Sequence, residues 1–450
     1  MNDTFGRVAE LTLNTPTNAI PESTLETAAL LFLDTLGVLI GAAPMEAGVI
    51  ARDTAALLYV SSDPAFSAGM LFDGRRVSLA GAAYATATQT DNLDAHDGYN
   101  PTKGHIGVAI VPALAALAEQ RPELSGPEAL AAMTIGYEIA GRAGLALHHS
   151  VSDYHTSGAW NALGVAAMAA RLRGQTPDQL RHALGIAEYH GPRSQMMREI
   201  ANPTMLHDGS GWGAMVGLSA SVLAERGFTG APAITLEDDD VAQFWSDLGS
   251  DWLIDDQYIK PYPICRWAHA AIDGVRQLMQ QHDLSHEQIK ELRVFSFHEA
   301  ARLFPGMPKT TSQAQYSLPF AVAAHAVHGR IGVEHISGAG LADPSVAKLV
   351  QRITVSERDR HNARFPLGRW ADVELKTNDG QVYESGDINA RGGAEEPLGR
   401  DEIVAKYNEF AVPVLGRTRA SQICATVLSL PSKQTRFSDL AHLIYDPPGI

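Results

Sequence analysis

Asp91, Asp94, His96, Asp97, Lys103 and His105 fall within fifteen residues of one another. Carboxylates beside imidazoles are the parts needed to move protons near neutral pH, and an amine among them can hold an anion. The flanking runs, 79–90 and 108–117, are small-residue, helical and almost uncharged. A dense titratable stretch between two buried helices predicts an active site rather than a solvated loop. Gly98, Pro101, Gly104 and Gly107 break helix periodicity, predicting a tight turn that enters the next helix near His105. The plainer alternative is that Asp91 or Asp94 only caps a helix. Asp91, Asp94, His96, Asp97 and His105 also carry donor atoms for a cation, but no His-Glu-x-x-His or EF-hand spacing accompanies them, so no metal is expected.

Four other segments carry candidate chemistry. His155 follows Tyr154 just before an Ala-rich helix, whose N-terminal amides favour an anion. His207-Asp208-Gly209 opens a Gly-rich helix start, where backbone can approach a ligand or another helix closely. Lys260, held near two prolines, Pro261 and Pro263, precedes Arg266 and His269 on the following helix, a set suited to binding carboxylates in an interdomain cleft. Cys265 and His269, four apart, could share a helix face, a weak metal signal. Tyr316-Ser317 opens an apolar helix and either contacts substrate or caps. The chain has no Gly-x-Ser-x-Gly elbow, Walker loop or strand followed by Gly-x-Gly-x-x-Gly, which argues against a serine hydrolase, an NTPase and a Rossmann dehydrogenase.

The elements that must position these groups fall into two sorts. From 23 to 226 nearly every segment reads as helix, with capping boxes at Ser23–Glu26 and Ser125–Glu128 and Thr176-Pro177 before Gln179. These helices are rich in Ala and Gly and can approach closely in a compact bundle. The run 25–43, interrupted by Glu26 and Asp34, reads as a buried helix, not a membrane span. Farther on, alternation predicts strands at 291–298, 352–357, 371–376 and 382–387, the last two joined by the hairpin signal Asn378-Asp379-Gly380. Helices are expected at 312–328 and 344–351, and helix returns at 400–410 and 418–428. The predicted fold is therefore mainly α: a helical domain from 1–265 and 401–450, and a smaller α+β domain, 266–400.

A chain of 450 residues with 45% hydrophobic and 19% charged residues is expected to be soluble and globular. Its net charge of −16 argues against nucleic acid and anionic membrane as partners, yet leaves room for a basic pocket. Two distant cysteines and the lack of a visible signal peptide suit a reducing cytoplasm.

Taken in order, these segments resemble the MmgE/PrpD family, which holds 2-methylcitrate dehydratase, cis-aconitate decarboxylase and iminodisuccinate epimerase. The resemblance rests on Asp94…Asp97…Pro101…His105, Tyr154-His155, Asp208-Gly-Ser-Gly-Trp-Gly-Ala214, Lys260-Pro-Tyr-Pro263, Tyr316-Ser-Leu-Pro-Phe320 and Glu402-Ile-Val-Ala-Lys406-Tyr407. It implies a large helical domain, a smaller α+β lid, a cofactor-free cleft between them and a homodimer. It also implies that Asp94, His105, His155 and Lys260 are the active-site residues. Relatives often carry a lysine before the Gly-rich segment, where this chain has His207 or Thr204, and many have a tyrosine in place of Phe320.

The chemistry these residues allow is stabilisation of negative charge beside a carboxylate while a proton moves. His105 or His155 is expected to act as acid or base and Asp94 to orient a histidine. Lys260, Arg266 and Lys103 would bind a di- or tricarboxylate, with His207, Tyr316 and Ser317 as further contacts. A 2-methylcitrate dehydratase-like hydro-lyase is the first expectation. Epimerisation of an imino- or hydroxy-dicarboxylate, cis-aconitate decarboxylation and a metal-dependent lyase are the alternatives.

Overall fold

The structure is a computed structural model that describes residues 3–449. Its helical body is built from small side chains. Ala is the best intrinsic helix former because folding costs it no side-chain entropy. Gly126–Ser150, Gly158–Leu172 and Ser210–Glu225 pack in sequence, with Gly158–Leu172 in the middle. A Cβ at Gly164 would run into the Gly136 carbonyl, so glycine is what lets the first pair of helices touch. Leu79–Asp91 packs on Ser210–Glu225, and Gly107–Ala118 lies wholly buried beside it. From the far end of the chain, Arg400–Leu415 packs along Glu22–Ala42. That helix is apolar enough to cross a membrane, but here 83% of its apolar window is buried within the fold, and Asp34 in its middle pairs with Lys406 at 2.7 Å.

The smaller unit has a five-stranded sheet. Ile289–Ser296 pairs in parallel with Ile353–Glu357 and antiparallel with Trp370–Thr377, which in turn pairs with Val382–Glu384 and Ile388–Asn389. His269–Gln281 packs on the sheet and against Leu318–His328. The Asn378-Asp379-Gly380 signal forms its hairpin, with Lys376 opposite Val382 and Gly380 at φ 92°. Buried apolar side chains form two clusters. One draws on the helices of the first half and on 403–444, the other mainly on 262–390.

Two local expectations change. Ser125 and Thr176 cap their helices as boxes, but the first long helix begins at Glu22 behind Pro21, which leaves Ser23 inside the first turn with no cap to make. The single helix expected over 312–328 is two, Thr311–Gln315 and Leu318–His328. Pro319 has no N–H to continue the first helix, and Ser317 takes an extended conformation (φ −112°, ψ 110°) to cap the second. The break turns Tyr316 inward.

Candidate active site

Two distant segments are brought into register by one short ladder. Gly98 N–H donates to the Tyr258 carbonyl at 3.0 Å, and Tyr258 N–H returns to Gly98 at 2.8 Å. This seats Lys260 beside Asp94: its ammonium lies 2.5 Å from Asp94 Oδ1 and donates to the Asp94 carbonyl at 3.1 Å, with both side chains buried. Burial pushes Lys260 down, but Asp94, with smaller contributions from Tyr258 and Cys265, outweighs it and the ammonium stays charged. Asp94 (φ 55°), Lys103 (φ 56°) and His207 (φ 47°) are three of the five non-glycine residues with left-handed backbone among those described. Such conformations cost about 1–3 kcal/mol each and concentrate at functional sites.

His105 precedes the helix Gly107–Ala118. Its Nδ1 lies 2.7 Å from the Asp97 carbonyl, an acceptor only, so Nδ1 carries the proton and Nε2 the lone pair. Nε2 faces Asp208 Oδ2 at 3.8 Å. Ser157 ties the two together: its hydroxyl donates to Asp208 Oδ1 at 2.6 Å and accepts the His105 N–H at 2.9 Å. The His96 ring stands edge-on to His105, 4.5 Å between centroids, with Nε2 3.4 Å from Asp91 Oδ1. Burial, then Lys260, holds His105 well below the usual imidazole range, and burial first takes His96 to about 4 and His207 to about 3. Burial raises Asp208 to about 6 and Asp91 to about 7. Near neutral pH the imidazoles are therefore free bases, while neighbouring carboxyls still exchange a proton, the condition for general acid–base work.

A small, partly open cavity of about 20 Å³ collects Asp94, His105, Asp208, Lys260, Tyr258 and Tyr316. Lys103, Tyr154, Cys265, Arg266, Trp267 and Arg369 complete its wall. A wider cavity of about 450 Å³ is lined by His207, Asp91, Arg198 and Trp212. His207 lines only the wider cavity: its ring packs 5.5 Å from Tyr316, and among the described residues neither ring nitrogen has a hydrogen-bond partner.

Asp97, behind the site, faces the Asp34–Lys406 pair. Lys406 donates to the Ala95 carbonyl at 2.6 Å and so holds the loop that carries Asp94 and His96. A Cβ at Gly107 would collide with the Asp97 carboxylate and the Tyr137 hydroxyl. Burial and then Asp34 raise Asp97 to about 7. In the unfolded chain this carboxyl ionises near 4, so the folded state holds a proton that the unfolded state has lost, and stability falls as pH climbs from about 4 to 7. Asp97→Asn removes that dependence. Denaturation at pH 5 and pH 8 should show the variant gaining on the parent by about 2–3 kcal/mol at the higher pH; a gap that does not change with pH contradicts the assignment.

The MmgE/PrpD N-terminal domain model matches residues 6–249 and the MmgE/PrpD C-terminal domain model residues 262–430. The chain belongs to the MmgE/PrpD family. It is 24% identical to a cis-aconitate decarboxylase of Aspergillus terreus, over 96% of this chain and 93% of that protein. The cis-aconitate decarboxylases of Mus musculus and Homo sapiens are each 23% identical over 78% of this chain, covering 75% and 76% of their own lengths.

Within this MmgE/PrpD fold, Asp94, His105, Lys260, Lys103, Arg266 and Tyr316 meet at one cavity, while His207 lines the wider one with its ring packed on Tyr316. Besides His207, two expected residues do not join them. His155 lies outside the cavity lining, near Asp153 and Arg193, with its N–H on His148 Nε2 at 3.3 Å. It is paired across a short bridge with Gln195, and in extended backbone neighbours point to opposite sides, so Tyr154 takes the inward place. Ser317 is a helix cap, its hydroxyl accepting from the Phe320 N–H at 3.3 Å. Cys265 and His269 do not share a helix face, because Cys265 lies before the short turn Arg266–Ala268 and the α-helix begins at His269. Among the described residues the group spaced for a cation is His361, Asp372 and Asp387, whose carboxylates already accept from Arg358, Arg360 and Arg364. Sequence reasoning missed Asp208, Tyr258 and Arg369. Asp208 had a signal, adjacency to His207 at the Gly-rich helix start; Tyr258 had a weaker one, two places before Lys260 in an extended segment; Arg369 had none.

Proposed function

We propose that this chain is a lyase that acts on a tricarboxylic acid, with proton transfer through the His105–Asp208 pair and charge stabilisation by Lys260. The observation that carries the reading is the His105 imidazole itself: neutral, fixed by the Asp97 carbonyl, and presenting a free Nε2 to a carboxyl group with a value of about 6. Lys260 supplies the positive charge that a carboxylate needs while electron density builds next to it. Similarity along nearly the whole chain to a cis-aconitate decarboxylase supports decarboxylation ahead of the dehydration that the family resemblance put first. In that reaction the bond to the departing carboxylate breaks and carbon dioxide leaves. The electron pair moves across the adjoining double bond, and a proton from the His105–Asp208 pair ends on the far carbon.

Incubating the protein with cis-aconitate, citrate and 2-methylcitrate in deuterated water, followed by NMR, tests this. Loss of carbon dioxide from cis-aconitate with one deuterium gained by the product is the expected result. Water loss from either citrate would move the assignment to a hydro-lyase, and exchange without net change to an epimerase. Activity that vanishes on chelation and returns with a divalent ion would place the chain in the metal-dependent class. A panel that passes through unchanged would retire the lyase reading.

A further inference from the structure

The charges on the cavity wall do not balance at one end. Lys260 has Asp94, and Asp208 is engaged with Ser157 and His105. Arg266 and Arg369 line the same cavity at 3% and 1% exposure, and among the described residues neither guanidinium has a carboxylate within 4.0 Å. Their hydrogen bonds go only to neutral main-chain carbonyls. Arg266 donates to Arg391 and Ala390 at 2.5 and 2.8 Å; Arg369 donates to Pro366, and at 3.4 Å to Gly368 and Asn100. The Nε–H of each arginine has no partner. Lys103, whose ammonium sits 4.9 Å from the Tyr154 ring centroid, adds a third cation to this wall without a carboxylate.

Buried cations that face one another unpaired are costly, and proteins retain such groups where an anion supplies the missing charge. Tyr258 marks the division between the two ends. The Arg266 guanidinium carbon lies 4.5 Å from its ring centroid, and His105 approaches the ring from 6.2 Å. Burial first and then Arg369 lower Lys103, and burial first, with Arg369 adding to it, lowers Arg266 to about 10, as expected of like charges held close.

We infer that Arg266 and Arg369, with Lys103 beside them, form a second carboxylate subsite that takes a carboxylate of the substrate remote from the carbon His105 serves. The inference rests on the polycarboxylate reading above and adds to it a site for one particular charge. It explains why the site holds more cations than a single carboxylate needs. A planar guanidinium pair can grip the two oxygens of a carboxylate in a fixed orientation, which sets the reacting end of the molecule against His105 and Lys260.

The test uses the full chain and tricarballylate, a tricarboxylate with neither a hydroxyl to lose nor a double bond to shift. Arg369→Gln should raise its Kd by calorimetry at least about tenfold, and Arg369→Lys should recover part of that loss. The KM for whichever substrate is turned over should rise by a similar factor, with a smaller change in kcat. A guanidinium that only pinned the 366–368 carbonyls would instead show a lower thermal midpoint of the ligand-free protein and an unchanged Kd. Equal Kd values for parent and Arg369→Gln, or no binding of tricarballylate by the parent, would overturn the subsite. Arg369-dependent binding without turnover of any substrate supports the subsite and retires only the lyase reading.

Discussion

His105→Asn lowers turnover at least about a hundredfold and leaves the protein folded. The magnitude follows from what the substitution removes. Positioned general acid–base groups contribute typically about 10²–10⁴-fold, and asparagine offers no group that titrates near neutral pH. Its amide can still take the place of Nδ1 and donate to the Asp97 carbonyl, so the loop keeps the bond that holds it. The cavity wall should therefore survive while the proton carrier is lost. Steady-state kinetics with the substrate identified by NMR, beside a thermal melt, separate the two effects. A variant that works within tenfold of the parent would remove His105 from the proton transfer. A second signature is the pH profile. Burial raises Asp208 to about 6, and only its protonated form can pass a proton to Nε2; the limb of the rate profile that this carboxyl sets should vanish in the variant along with the partner it serves.

How much of this was legible beforehand depends on distance along the chain. The stretch from Asp91 to His105 announced itself, because unlike charges crowded between apolar helices have few other reasons to exist. Its glycines were read as helix breakers; the structure gives Gly107 a sharper reason, since a side chain there would displace Asp97 and Tyr137. The strands and the Asn378–Gly380 hairpin were visible from alternation and turn chemistry, which are local. What stayed hidden were facts of side and partner. His155 and Tyr154 are neighbours in an extended segment, and no pattern says which of two adjacent residues faces inward until the bridge to Gln195 fixes it. Tyr316 and Ser317 were both candidates, but only the helix break at Pro319 assigns one to the cavity and the other to a cap. Arg369 stands alone between Gly368 and Trp370, and its importance comes from groups that arrive from residues 99–105 and 258–266. Such a residue is invisible to any reading of local spacing.

Lys260→Met should damage both stability and activity, and the two losses should come apart in a second variant. The methionine fills the space but removes the one cation that, among the described residues, sits on Asp94 Oδ1, while the other oxygen has no partner among them. Breaking one side of a buried pair typically costs about 3–5 kcal/mol, because the remaining charge has neither water nor counter-ion. Without Lys260, burial acts on Asp94 unopposed and raises its folded value further above 3.8. A raised acid binds its proton more tightly in the folded state than in the unfolded one. The deficit should therefore be small near pH 4–5, grow as pH rises towards the new value and level off above it. Adding Asp94→Asn replaces the stranded charge with a neutral amide and should restore most of the stability at pH 8. Activity should not return: the ammonium that steadies charge on the substrate is still missing, and a loss of about a thousandfold in kcat/KM should persist in the double variant. Denaturation at pH 5 and pH 8 with kinetics on all four proteins resolves this. A double variant as unstable as Lys260→Met would mean that the ion pair is not what the fold depends on here, and a double variant with parental activity would mean that Lys260 acts on Asp94 alone and never on the substrate.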